Sequence, residues 1–76
     1  MSDRPVKRSI TLHGHRTSVS LEDDFWDALH EMAMDQGRSL ASLAAQIDDS
    51  RDPQTGLATA IRLHVLRHFR RPAQVA

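Results

Sequence analysis

The chain contains no cysteine, only three glycines and three prolines among 76 residues, 4% aromatic residues and no net formal charge. Without cysteine a disulfide framework is excluded, and the compartment is left compatible with the cytosol. No apolar run approaches the roughly 20 residues of a membrane span, and the amino terminus lacks the apolar core of a signal peptide, so a soluble, intracellular protein with no membrane partner is expected. Internal repeats, low-complexity tracts, glycine-rich phosphate loops and nucleophile motifs are all missing, and no spacing of serine and histidine singles out a triad. The chain is therefore not read as an enzyme, and no cofactor is expected. A domain this small buries only about 60% of its unfolded surface, which leaves oligomerisation as the expected source of extra core.

What is present is sharply patterned. Residues 1–17 carry Arg4, Lys7, Arg8 and Arg16 against Asp3; residues 18–52 carry nine acids against Arg38 and Arg51; residues 53–76 carry four arginines and no acid. Such segregation can build a basic face and an acidic face on a neutral molecule. Thr17, Val19 and Leu21 alternate with Arg16, Ser18 and Ser20, the period of a strand with one apolar and one polar side. A strand that short needs a partner, and the same strand of a second subunit is the economical one, giving a two-fold dimer with an intersubunit two-stranded antiparallel ribbon. Ile10 and Leu12 lie on the opposite parity, and one extra residue at Gly14, in a bulge or tight turn, would bring both sets to one face. Residues 1–8 read as a flexible basic arm whose Lys7 and Arg8 are candidate phosphate contacts. His13 and His15 form an H-x-H pair, a weak metal signal with no evident third ligand; a metal site is not expected there.

Three helices follow. The first begins near Glu22 to Asp24 and ends at Gly37, with Phe25, Trp26, Leu29, Met32 and Ala33 as its core stripe and Asp23, Asp24, Asp27, Glu31 and Asp35 on the solvent arc. Ser39 caps the second, in which Leu40, Leu43, Ala44 and Ile47 recur at helical spacing. Free N–H groups at that helix start, with Arg38 beside them, suit a phosphate. Asp48 to Gly56 breaks the pattern, and a third helix runs from Thr55 or Leu57 to Arg70, with Leu57, Ile61, Val65 and Phe69 as its stripe. The expected domain is 9–71, with 72–76 as a tail.

This order of strand, helix, G-R-S junction and helix, with L-E-x-x-F/W-x-x-L before the glycine and S-L-x-x-L-A after it, resembles the ribbon-helix-helix superfamily of bacterial and phage DNA-binding proteins, the Met and Arc repressor-like group. The stretch K-R-S-I-T-L-H-G-H-R-T-S-V-S-L-E-D-D-F-W is similar more narrowly to short alphaproteobacterial ribbon-helix-helix proteins. The resemblance implies a mainly α homodimer with one amino-terminal strand and, here, an additional carboxyl-terminal helix. It implies a cytoplasmic transcriptional regulator, a repressor, that binds double-stranded DNA and can assemble further on it. Arg16, Ser18 and Ser20 would read bases in the major groove, and Ser39 with Arg38 would grip a phosphate. Arginine can donate twice to guanine, whereas serine is a permissive reader. The alternative is a dimeric protein-interaction module, or an antitoxin-like protein, with weak DNA binding or none.

Overall fold

A computed structural model describes residues 3–70 of the chain. Two strands, β1 (Val6–Leu12) and β2 (His15–Leu21), precede three helices, α1 (Asp23–Asp35), α2 (Leu40–Ser50) and α3 (Leu57–Phe69). The strands pair with each other in an antiparallel ladder running from Val6 opposite Leu21 to Leu12 opposite His15. The partner expected from a second subunit is thus supplied by the same chain. Residues 6–8, expected to belong to the amino-terminal arm, are in β1.

The expected break at Gly14 is a two-residue turn. Gly14 has φ +80° and His13 +52°, and positive φ at both central positions is what makes such a turn follow the right-handed twist of its strands. The turn also corrects the parity mismatch. Ile10 and Leu12 join Val19 and Leu21 on one face, and all four are buried. It also separates the two histidines, since His13 lies in the turn and His15 in β2, so they do not share a strand face.

That apolar face is covered by the helices, β1 packing against α2 and β2 against α3, while α1 packs on both. Leu29, Met32 and Ala33 from α1, Leu43, Ala44 and Ile47 from α2, and Ala60, Ile61 and Val65 from α3 complete a single core with no buried polar residue among the described residues. Phe25 and Trp26 are half-buried at its edge. Phe69 departs from its expected stripe and is 62% exposed, because α3 ends there, beyond the last element it could cover.

The α1–α2 junction is fixed by local chemistry. Gly37, at φ +65°, donates to the Met34 carbonyl at 3.0 Å, and Arg38 N–H reaches back to the Ala33 carbonyl at 3.0 Å. This is the paired bonding that satisfies the last carbonyls of a helix, and it needs a left-handed residue at that position. Ser39 Oγ then accepts from Ser42 N–H at 3.0 Å and caps α2. After α2, Asp52 accepts from Gln54 N–H through its side chain and from Thr55 N–H through its backbone, both at 2.8 Å, closing the turn into α3.

Candidate nucleic-acid interface

Cross-strand partners share a face of the ribbon. Opposite the core, the pairs are Lys7 with Ser20, Ser9 with Ser18 and Thr11 with Arg16. All six are exposed, and none is acidic. Among the described residues neither Lys7 nor Arg16 is in an ion pair. The face therefore offers two uncompensated cations and four hydroxyls on a rigid, hydrogen-bonded surface. Sequence parity alone picked out Arg16, Ser18 and Ser20. Ser9 and Thr11 were missed because their place on this face depends on the turn at residues 13–14.

The backbone of the same three β2 residues is also significant. In a two-residue hairpin the pair flanking the turn exchanges both ladder bonds, and bonded pairs then alternate. His15, Thr17, Val19 and Leu21 therefore bond to β1, whereas Arg16, Ser18 and Ser20 direct their N–H and C=O groups to the other edge of β2. On that edge Arg62 Nη2 of α3 donates to the Ser20 carbonyl at 3.2 Å. Arg62 Nε also donates to Glu22 Oε1 at 2.9 Å. This hydrogen bond, followed by one from the backbone of Glu22 itself, holds the Glu22 carboxyl below its ordinary range. The β2–α1 corner is thereby tied to α3.

Arg8 does not stand with Lys7. Its parity turns it to the inner face, where it pairs with the Asp23 carboxylate, donates to the Leu21 carbonyl at 3.2 Å and stacks 5.2 Å above the Trp26 ring. A guanidinium so engaged anchors the ribbon to α1 and is not presented outward. For the same reason Asp23 leaves the solvent arc expected for it.

Ser39 serves as the α2 cap. Leu40 and Ala41 keep backbone N–H groups with no partner among the described residues. Arg38 folds along α2, its Nη2 donating to the Ser42 Oγ at 2.8 Å and to the Ser42 carbonyl at 3.0 Å, and its Nη1 to the Gln46 side chain. All its partners are neutral, so its charge is uncompensated.

His13 reaches α2 instead of His15. Its Nε2 lies 3.0 Å from Asp49 Oδ1 and 3.8 Å from Asp48 Oδ2, and these ligand atoms all fall within 4.8 Å of one another. The set is of a kind that can hold a divalent cation, yet Asp48 also accepts from Arg51 Nε at 2.8 Å, and the contacts suffice as a clasp between turn and helix.

A family model described as the ribbon-helix-helix domain matches residues 5–69. The chain is a ribbon-helix-helix domain. The match spans both strands and all three helices, so α3 belongs to the domain. The ribbon-helix-helix family is one of DNA-binding, regulatory domains, and membership suggests a function of that general kind. No curated protein and no solved structure matched the chain. No helix of the described residues is long and apolar enough to cross a membrane.

Proposed function

We propose that this ribbon-helix-helix domain is a homodimeric, sequence-specific transcriptional regulator that places β2 of each subunit in the major groove of DNA. The observation that carries the reading is the acid-free outer face of the ribbon, whose β2 half has a backbone edge that, apart from the Ser20 carbonyl held by Arg62, is open for a second copy. Pairing β2 with β2 of a partner about Ser18 gives a four-stranded ribbon. Four strands spaced about 4.8 Å span about 14 Å, wider than a major groove of about 12 Å that admits a two-stranded ribbon. The two central strands enter, so Arg16, Ser18 and Ser20 of both subunits face bases, with Arg16 as the guanine reader. The flanking β1 strands then lie towards the backbone, where Lys7 meets phosphate, and Ser39 with the open N–H groups behind it contacts another.

The test is selection of genomic fragments by the purified protein at two salt concentrations, alongside Arg16→Ala. The reading expects enrichment of a short palindromic site, lost in Arg16→Ala while the dimer persists, and affinity that falls steeply with salt. A folded dimer that enriches nothing at either salt overturns it. A protein-interaction module is the second reading, favoured by the exposed Leu66 and Phe69 of α3; substitutions there, not at Arg16, would then abolish partner capture.

A further inference from the structure

Away from the ribbon, the chain gathers positive charge from the α1–α2 junction and from α3 at one concavity. Gln36, from the end of α1, Gln46 of α2, and His64, Arg67 and His68 of α3 line a cavity of about 350 Å³. The α3 residues are spaced i, i+3 and i+4, which puts them on one helix face. Arg38 stands at the rim, because its guanidinium donates to the side-chain oxygens of both Gln36, at 3.4 Å, and Gln46. No carboxylate lines the cavity, and among the described residues neither Arg38 nor Arg67 is in an ion pair. Burial first, and then His68, Arg38 and Arg67, push the His64 imidazole below its ordinary titration range. Elsewhere the described arginines Arg8, Arg51 and Arg62 each have a carboxylate partner. His64 and Arg67 also line an adjoining cavity bordered by Asp52, but the concavity between Gln36, Gln46 and α3 is bordered by cations alone, which favours an anion there.

We propose that this cavity is a phosphate-binding site. Arg67 and Arg38 supply the permanent charge, His68 and His64 supply N–H donors, and Gln36 and Gln46 orient Arg38. The phosphate is either a backbone phosphate of bound DNA or that of a free phosphorylated ligand. The site itself does not depend on the DNA reading.

Heteronuclear NMR of the purified protein, titrated with inorganic phosphate at constant ionic strength, tests it. Saturable shifts of the His64 and His68 rings and of the Arg67 side chain are expected, with the His64 titration moving upward. Arg67→Gln, at an exposed position that leaves the fold intact, should lose the saturable response, and so should Arg38→Gln. The Arg16→Ala protein should keep it, so a failure of base reading is distinguishable from a failure of this site. Salt dependence of DNA binding then identifies the source. If the phosphate is DNA's, Arg67→Gln weakens all sequences equally and lowers the salt slope by about one per subunit; if it is a free ligand's, DNA binding is unchanged while the phosphate response is gone. Equal shifts with sodium chloride in place of phosphate, or a saturable response that survives both arginine substitutions, would overturn the proposal.

Discussion

Gly14 has no neighbouring atom within 4 Å of where a β-carbon would stand, yet its φ of +80° is one that side chains resist. Gly14→Ala should therefore destabilise through the backbone alone, by about 1–2 kcal/mol, read as a lower denaturation midpoint with an unchanged slope. The need for a break at this residue was legible, because the apolar parity changes across it. The consequence for Arg8 was not, since residues 1–8 read as an arm and only the structure starts β1 at Val6, which puts Arg8 on the side of Ile10 and Leu12. Glu22 carries a prediction of a different kind. Its folded carboxyl titrates below the ordinary value of 4.5 because Arg62 donates to it, so the unfolded chain binds a proton at a pH where the folded one does not. The stabilisation is present above about 4.5 and lost as pH falls through the lower folded value. Acid unfolding of Glu22→Gln should lack that portion of the pH dependence. His64 acts at higher pH. Its imidazole is pushed below 6.5 in the fold, so its contribution is complete above 6.5 and is lost as pH falls through the folded value; His64→Gln should flatten stability across that window.

At the scale of the element, the helices and their junctions were the most legible. Gly37, Arg38 and Ser39 encode an ending and a beginning in adjacent residues, and Ser39→Ala should cost about 1 kcal/mol by uncapping α2. The ribbon shows where such reading stops. The alternation in Arg16–Leu21 specifies a strand with a buried side, and it says nothing about which strand lies beside it. The structure gives β2 one edge bonded to β1 and another that carries the backbone of Arg16, Ser18 and Ser20. Proline is tolerated in a strand where its missing N–H faces away from the ladder. Ser18→Pro should thus leave the hairpin folded while blocking pairing with a second copy. The expected result is a monomeric mass in sedimentation with the circular dichroism of the native helices retained. A dimer that survives Ser18→Pro would place the interface elsewhere.

For the whole molecule, one core joins the inner face of the ribbon to three helices, and Leu21, Leu29, Leu43 and Ile61 at its centre are wholly buried. The closed hairpin removes one argument for obligatory dimerisation, because β2 has its partner within the chain. If two copies nonetheless pair through β2, the unfolding midpoint should rise with protein concentration, which calorimetry over a hundredfold range checks directly. The sequence by itself determined the order of elements from β2 onward, the helix ends, most of the apolar stripes and the polar identity of the β2 outer face. These follow from local periodicity and capping, which act over a few residues. Only the tertiary structure decided that β1 closes the ribbon, that Arg8 of β1 pairs with Asp23 of α1, that His13 clasps α2, and that His64, Arg67 and His68 line a cavity with Arg38 at its rim. Each of those joins residues far apart in the chain, and their meeting is set by how the ribbon and helices bury one common core, a constraint that no single stretch of sequence contains.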